Sequence, residues 1–413
     1  MAETPTDERL VSHFAGRINI ETLFCRHVTM EKIYLDHASA MPVDPRVLEF
    51  AKQYLGDGFG NPSSLHSVGL AAKRALEDAR VKIAGLVNAE NETCIIFTCG
   101  ATESNNLAIK GTALRNIGKG KKVAASAIEH ISVLNPMKEL QKNGFEFIII
   151  PVQSTGLVEL EKLNESLTKD TTVTSIMYAN NEIGTIEPIK KISEIVHEKG
   201  LYLHVDATAA CGRIPINVQN EGIDLLTLSS NDMYGPQGAG ALYIKPGIKL
   251  QSILPGGGQE RGLRSGTENI FAIAGMGEAA RIAKDEMDQE KKRLEGIRDK
   301  LIEEILKIEK SYLTGHPTQR LPHHASFRFS GIEGESILLN MDMIYNIQVA
   351  TGSACSSKTL EPSHVLLAIG LKHEEAHGSL VLTLGRSNKI EEVPVITKAV
   401  KETVERLRKL SPL

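Results

Sequence analysis

The chain has 413 residues, of which 41% are hydrophobic and 24% are charged, and its formal net charge at pH 7 is −4. A weakly acidic chain offers no electrostatic attraction to nucleic acid or to an anionic membrane surface, so neither is expected as a partner. No run approaches the roughly 18 apolar residues that a membrane span requires, and the N-terminus lacks the basic-then-apolar order of a secretion signal. These features predict a soluble, cytoplasmic protein.

The N-terminal part of the chain is predicted to be an extension followed by a short arm. Residues 1–29 precede a second methionine, Met30, and we expect them to be either a mistaken start or an added arm, and to be disordered. Residues 30–43 are expected to pack against a small C-terminal domain. Over residues 67–87, apolar side chains recur at intervals of three and four, which predicts the first long helix.

Seven short apolar runs bounded by glycine, proline or polar residues predict strands. Helical patterns fill most of the intervals, and the clearest, residues 188–199, has proline in its first turn and glycine just past its end. Alternating strands and helices predict a doubly wound α/β sheet, mainly parallel, that binds its ligand outside the carboxyl ends of the strands. The predicted strands are residues 93–98, 122–125, 145–151, 173–178, 201–206, 225–229 and 240–244.

The pattern then changes to one long charged helix, predicted over residues 279–306, where mixed charges mark a solvated helix face. We expect this helix to lead from a large domain, residues 44–280, into a smaller α+β domain, residues 281–413. The small domain is predicted to end in a helix over residues 394–410, with proline in its first turn.

A strand-to-helix junction at residues 98–106 has the features of a phosphate site. Gly100 lets the backbone turn tightly, and the free amides of Ala101 and Thr102 at the start of the helix attract phosphate. Thr102 is also predicted to cap this helix. An ordinary capped helix has the same pattern, so the junction alone is a weak signal.

Cys355 stands in a different setting from the other four cysteines. Small residues flank it on both sides within residues 350–364, which leaves its sulfur accessible and its backbone mobile. Such a thiol suits the movement of a sulfur atom between two sites; the alternative is an ordinary surface thiol. No CxxC pair is present, so the cysteines are expected to be reduced.

Taken in order, the motifs of this chain resemble those of the cysteine desulfurases, the NifS/IscS family of fold type I enzymes that use pyridoxal 5′-phosphate (PLP). The resemblance covers residues 33–386. It implies a homodimer, PLP as cofactor, cysteine as substrate and an IscU-like iron–sulfur cluster scaffold protein as partner. The motifs that carry it are residues 60–66, 98–106, 128–130, 180–184, 201–206, 229–238, 256–269, 350–364 and 384–386.

The resemblance also implies roles for individual residues. His130 would stack on the pyridine ring and shuttle a proton, Asn181 would hydrogen-bond the phenolic oxygen, and Asp206 would keep the ring nitrogen protonated. Arg386 would bind the carboxylate of the substrate. Thr267 would reach the cofactor phosphate of the partner subunit. The residues so implied for cofactor binding are Ala101, Thr102, His130, Asn181, Asp206, Ser229, Ser230, Asn231 and Thr267.

One position in the middle of the site departs from the family. Relatives have a Ser-x-His-Lys sequence whose lysine forms a Schiff base with PLP, and residues 229–232 here are Ser-Ser-Asn-Asp. Asp232 cannot form that link, so PLP is expected to bind non-covalently. Asn231 and Ala209 also differ from the histidine and glutamine usual in relatives, as if this part of the site had changed together.

We therefore interpret the chain as a sulfur-handling protein of iron–sulfur cluster assembly with weak or no ordinary desulfurase turnover. Cys355, assigned to catalysis with His130, would carry a persulfide, offer its thiolate to a [2Fe–2S] cluster on the scaffold, or do both. Two alternatives stay open. One is a competent desulfurase that converts cysteine to alanine with non-covalent PLP, and the other is a non-enzymatic interaction protein.

Overall fold

The computed structural model of the chain describes residues 31–56, 58–352 and 362–410. None of the helices in these ranges is both long enough and apolar enough to cross a membrane. The strands are β1 (Ile33–Tyr34), β2 (Ile95–Thr98), β3 (Lys122–Ser126), β4 (Glu146–Ile150), β5 (Thr171–Ser175), β6 (Leu203–Asp206), β7 (Leu225–Ser229), β8 (Gly240–Ile244), β9 (Ser311–Leu313), β10 (His324–Phe329), β11 (Ile347–Gln348) and β12 (Ser379–Thr383). The α-helices are α1 (Pro45–Ala51), α2 (Ser67–Val87), α3 (Ala101–Arg115), α4 (Ile131–Lys142), α5 (Leu160–Ser166), α6 (Ile189–Glu198), α7 (Ile270–Ile305), α8 (Gly334–Tyr345), α9 (His364–Ala368), α10 (His373–His377) and α11 (Val393–Leu410).

Seven strands form one large sheet in the order β2–β8–β7–β6–β5–β3–β4. Strand β8 runs antiparallel to both of its neighbours, and all other pairs are parallel. The predicted doubly wound, mainly parallel α/β sheet is therefore confirmed. The largest boundary shift is in β5, which ends at Ser175 rather than at residue 178, although the amides of Ile176 and Tyr178 still donate to carbonyl oxygens of β6.

Helices cover both faces of this sheet because alternate strand residues point to opposite sides. In β2, Ile95 and Phe97 share a core with Ile83 of α2. Ile96, between them, packs in another core with Leu107 of α3. With both faces covered, the rim at the carboxyl ends of the parallel strands is where a ligand can approach.

The long helix α7 begins nine residues earlier than predicted. The side chain of Asn269 caps it by accepting a hydrogen bond from the amide of Ala272 at 3.2 Å. Its first turns are buried and include Ile273 and Met276. The charged pattern in the sequence marks only the exposed part of the helix, and this is why the buried start was missed.

A second apolar core forms around the later part of α7. Leu294 and Leu301 pack there with Phe327 of β10 and Val400 of α11. Strands β12, β10 and β9 form an antiparallel sheet beside them. Leu35, which follows β1, belongs to the same core, and β1 pairs with β11. The domain boundaries predicted at residues 43 and 280 stay predictions.

Candidate active site

A cavity of about 120 Å³ lies at the rim of the large sheet, where β5, β6 and β7 end. Six residues predicted for the site line it: Ala101, Thr102, His130, Asn181, Asp206 and Asp232. Other lining residues had no assigned role, among them His37, Met41, Ser132, Thr208, His323 and His324. The rim predicted from strand order is thus the place where these side chains meet.

Asp206 ends β6, and three donors hold its carboxylate in place. Oδ2 accepts a hydrogen bond from Nδ2 of Asn105 at 2.7 Å, and Oδ1 accepts from the amide and hydroxyl of Thr208 at 3.0 and 2.5 Å. His204, two residues earlier, is fully buried between the hydroxyls of Ser175 and Thr227. Burial lowers the pKa of His204 to about 4, so it is neutral at physiological pH.

A chain of hydrogen bonds connects Asp206 to His130. Asn105 Nδ2 donates to Oγ of Ser132 at 2.8 Å as well as to Asp206. Ser132 Oγ can then donate to Nδ1 of His130, 2.7 Å away, and the amide of Ser132 donates to the same nitrogen at 3.2 Å. Because Nδ1 accepts, the neutral imidazole of His130 carries its proton on Nε2.

The N-terminus of α3 supplies another part of the lining. The prediction that Thr102 caps this helix is wrong: Gly100 occupies the cap position, and Thr102 lies inside the first turn. The carboxylate of Glu103 instead accepts from the amide of Cys99 at 2.7 Å and pairs with Nε of Arg264 at 2.9 Å. The first amides of a helix have no partner within it, so those of Ala101 and Thr102 suit an anionic ligand.

The segment at the lysine position follows β7 and contributes only Asp232 to the cavity lining. Ser229 and Ser230 are buried beside it, and Oγ of Ser230 and Oδ1 of Asn231 have no hydrogen-bond partner among the described residues. Burial raises the pKa of Asp232 to about 6; a hydrogen bond with Ser229 opposes this shift, and the charge of Asp206 adds to it.

Besides Ser229, Ser230 and Asn231, two other described residues predicted for the site do not line this cavity. Thr267 is exposed on the loop before α7. Arg386 follows β12, and its guanidinium pairs with Asp44 and, at 3.1 Å, with Oε2 of Glu286. Cys355 lies outside the described residues.

A second cavity, of about 160 Å³, meets the first at His130 and Asn181, which line both. Gly352 and Pro362, the described residues on either side of residues 353–361, also line it. His130 and Asn181 therefore stand between the first cavity and Gly352 and Pro362, the two residues that flank the segment containing Cys355.

Sequence reasoning missed Asn105 and Ser132, the two residues that join Asp206 to His130. Both are next to residues that the sequence analysis did single out: Asn105 lies in the motif at residues 98–106, and Ser132 is two residues past His130. Neither could be assigned because the bonds that complete the connection, from Asn105 to Ser132 and to Asp206, join residues 27 and 101 positions apart. No metal centre was missed in the described part of the chain, where no three His, Cys, Asp or Glu side chains are placed to hold an ion.

Residues 33–396 match the family model of the aminotransferase class-V proteins, which is the class that the sheet and its cavity define. Cysteine desulfurase IscS 1 of Archaeoglobus fulgidus is 56% identical over 380 residues, a match that covers 92% of this chain and 99% of the relative. Cysteine desulfurase IscS of Methanosarcina thermophila is 47% identical, with 92% of this chain and 94% of the relative covered. A solved NifS-like protein superposes with a TM-score of 0.86 at 34% identity, covering 91% of this chain and all of its own. The chain belongs to the cysteine desulfurases of the NifS/IscS type within the class-V aminotransferase family.

Proposed function

We propose that this chain is a cysteine desulfurase-type enzyme that holds PLP without a covalent link and moves the sulfur of cysteine to Cys355. The observation that carries this proposal is the convergence of Thr102, His130, Asn181 and Asp206 on one cavity at the rim of the sheet. The names of the relatives, both cysteine desulfurases, support the same activity.

The donors around this cavity fit the polar parts of PLP. The first amides of α3 and the hydroxyl of Thr102 suit its phosphate. Asp206 suits the pyridine nitrogen, because a fixed anion there keeps that nitrogen protonated. Asn181 suits the phenolic oxygen, and the imidazole of His130 suits the face of the ring. A site with a separate donor or acceptor for each polar part can hold PLP without a lysine.

When PLP is bound, it supplies a ring that accepts electrons from the α-carbon of cysteine. Asp206 keeps its charge in place because Asn105 and Thr208 fix the carboxylate before the reaction begins. His130 can take up a proton and, as the imidazolium, deliver it within the cavity. In the net reaction the carbon–sulfur bond of cysteine breaks and that carbon takes up a proton. The sulfur joins the sulfur of Cys355, so cysteine and a thiol give alanine and a persulfide.

The second cavity supports the role of Cys355 as acceptor. It is lined by both described neighbours of residues 353–361, Gly352 and Pro362, and by two residues of the first cavity, His130 and Asn181. The segment that carries Cys355 therefore begins and ends at residues that line a cavity sharing His130 and Asn181 with the active site, which suits a sulfur acceptor.

Asp232 makes the expected turnover slow. A carboxylate can neither form a Schiff base nor attract the phosphate of PLP, and loss of a positioned acid–base group typically lowers a rate by about 10²- to 10⁴-fold. The test is to incubate the protein with PLP and cysteine and to quantify alanine and sulfide. Alanine formed in the wild type with a persulfide on Cys355, and no persulfide in Cys355→Ser, is the expected result. If alanine never exceeds the level produced by free PLP and cysteine, the proposal is wrong.

Asp232 also favours a second candidate function, in which the chain serves mainly as a partner in iron–sulfur cluster assembly. Here Cys355 would pass sulfur to a scaffold protein or complete the ligand set of its [2Fe–2S] cluster, since a thiolate is a good iron ligand. The cluster would be reconstituted anaerobically on the complex with wild-type protein and with Cys355→Ser. Equal cluster yield, lifetime and spectrum in both would exclude Cys355 as donor and as ligand.

We also propose that the chain acts as a homodimer. Thr267 is exposed on a loop outside the cavity, which suits a residue whose contact lies on a neighbouring subunit. Light scattering at micromolar concentration should give twice the mass of the chain. A monomer under these conditions would contradict the proposed homodimer, and with it the role assigned to Thr267.

A further inference from the structure

Two arginines and two carboxylates form a closed ring of ion pairs beside the end of β12. Arg386 pairs with Asp44 and, at 3.1 Å, with Oε2 of Glu286. Arg46 pairs with the same two carboxylates, with Oδ2 of Asp44 at 2.8 Å and with Oε1 of Glu286 at 2.5 Å. Hydrogen bonds from Arg46 and the charge of Arg386 hold the pKa of both carboxyl groups below their usual values, so both are ionised at physiological pH.

The two carboxylates of this ring are held in different ways. Asp44 is the N-cap of α1, and its carboxylate also accepts from the amide of Arg46 at 2.9 Å. The side chain of Asp44 is 5% exposed, whereas that of Glu286 on α7 is 34% exposed. Among the described residues, Glu286 has only the two arginines as hydrogen-bond partners. If Glu286 leaves Arg386, it keeps Arg46 and contact with water, so no buried charge is left unpaired.

The backbone that carries Arg386 lies against the wall of the active-site cavity, although its side chain does not line that cavity. A side-chain carbon added to Gly385 would lie 2.1 Å from Nε2 of His37, which lines the large cavity. Arg386 itself lines a small cavity of about 20 Å³ that meets the large one at Asp232. Glu286 lines the same small cavity, so its charge holds the guanidinium on that side.

A carboxylate in the large cavity would need nitrogens of Arg386 that are already in use. The fork of a guanidinium suits a carboxylate, and here two carboxylates share it. To displace Asp44 would disturb the cap of α1 and its bonds to Arg46. To displace Glu286 breaks only an ion pair between partly exposed side chains, and such pairs contribute little in water. Glu286 is therefore the carboxylate that a ligand can replace.

We propose that Glu286 competes with the α-carboxylate of the amino-acid substrate for Arg386 and thereby sets the affinity for that substrate. The inference rests on the proposed function, in which the substrate is cysteine and Arg386 binds its carboxylate. At Nη2 of Arg386 one carboxylate replaces another, while Glu286 stays paired with Arg46. An amine without a carboxylate cannot make this exchange, so the competition acts on amino acids alone.

The test is calorimetric titration of the PLP-loaded protein with S-methyl-L-cysteine, which has the carboxylate but no free thiol, and with the corresponding amine that lacks the carboxylate. Glu286→Gln removes the competing charge and keeps the size of the side chain. It should bind the amino acid about two- to fivefold more tightly than the wild type, as expected for loss of a partly exposed ion pair, and bind the amine equally. Glu286→Ala, which removes both competing oxygens, should gain at least as much.

Asp285→Asn is the matched control, because it removes one negative charge from the neighbouring residue of α7, which pairs with Arg281 and lines neither cavity. It should bind the amino acid like the wild type. Arg386→Met should lose about 10- to 100-fold in affinity for the amino acid, as expected for loss of a charge-assisted contact. Glu286→Gln combined with Arg386→Met should bind no more tightly than Arg386→Met alone, because the two residues act through one contact.

Unchanged or weaker affinity for the amino acid in both Glu286 variants would overturn the inference, and so would an equal gain in Asp285→Asn or in the double variant. Alanine formed from cysteine without a gain in the Glu286 variants would contradict the inference alone. A gain in these variants without any alanine from cysteine would contradict the proposed function alone. If neither the wild type nor any variant binds the amino acid, both are wrong.

Discussion

Two sides of the active-site cavity differ in how their polar groups are connected by hydrogen bonds. On the side of Asp206, an unbroken set of hydrogen bonds runs through Asn105 and Ser132 to His130. On the side of Asp232, the neighbouring Ser230 has a buried hydroxyl without a partner, and the carboxyl group of Asp232 has a raised pKa. The Asp206 side is therefore connected by hydrogen bonds before any ligand arrives, although Oδ1 of Asn105 has no partner, whereas no such connected set joins Ser230 to Asp232 among the described residues.

The two sides therefore differ in how their polar groups are connected rather than in whether every polar atom has a partner. A buried polar atom without a partner costs about 1–3 kcal/mol, and both sides carry such an atom, Oδ1 of Asn105 on one and Oγ of Ser230 on the other. Under the proposed function, we expect the hydrogen-bonded Asp206 side to position the cofactor. The Asp232 side is expected to contribute little to cofactor affinity.

The largest effect should come from Asp206→Asn, which removes the fixed anion from the organised side. We expect PLP affinity to fall about 100-fold, or roughly 2.7 kcal/mol, because the ring nitrogen loses its charged partner. Equilibrium dialysis with PLP measures this directly. The exposed Asp170→Asn, which lines neither cavity, is the control. Loss of less than about threefold in Asp206→Asn would mean that this side does not position the ring.

The next prediction concerns a substitution on the Asp232 side of the cavity. Asp232→Lys places an amine in the cavity lining, where burial favours its neutral, nucleophilic form. Borohydride reduction in the presence of PLP should fix the cofactor at residue 232, as located by peptide mapping, while Asp232→Asn should show no adduct. If the lysine variant also lacks an adduct, the cavity does not hold the aldehyde near this position.

Stability should depend on pH through Asp232. Its pKa is raised from 3.8 to about 6 in the folded protein, so ionisation costs more there than in the unfolded chain. The free energy of unfolding therefore falls as pH rises from about 4 to 6 and stays lower above that range. Asp232→Asn should be more stable than the wild type at pH 8, by about 3 kcal/mol at most, and nearly equal at pH 3.5. Urea unfolding at both pH values measures it, and a gap independent of pH would contradict it.

The smallest effects should come from two serines, one on each side. Ser132→Ala leaves Asn105 and His130 without a shared partner and should lower the free energy of unfolding by about 1–2 kcal/mol. Ser230→Ala removes a hydroxyl that has no partner and should be neutral or stabilising by up to about 1 kcal/mol. The comparison between the two sides fails if the two substitutions are equally destabilising.

The sequence was sufficient to predict the sheet and its rim, but not the hydrogen bonds that connect residues across the rim. Apolar runs and the order of motifs were enough to predict all seven strands and to place Asp206 and His130 at one edge. The bond from Asn105 to Asp206 joins residues 101 positions apart, and no local pattern reveals such a pair.

Ion pairs between residues distant in the chain could not be predicted from the sequence either. Arg386 was predicted to be free for substrate, yet it pairs with Asp44, which is 342 positions away in the chain. Thr102 was predicted to cap α3 because its type is right for a cap, but the helix begins at Ala101, one residue before it. Residue type was informative about which elements form, and it failed for the exact start of a helix and for contacts between distant elements.

The most direct test of the non-covalent site is borohydride reduction of the wild-type protein saturated with PLP, followed by intact mass measurement. If the Asp206 side alone holds the cofactor, the mass of the protein stays unchanged, and PLP that was bound before reduction is removed by gel filtration. A covalent PLP adduct on any lysine, found in stoichiometric amount, would contradict the account.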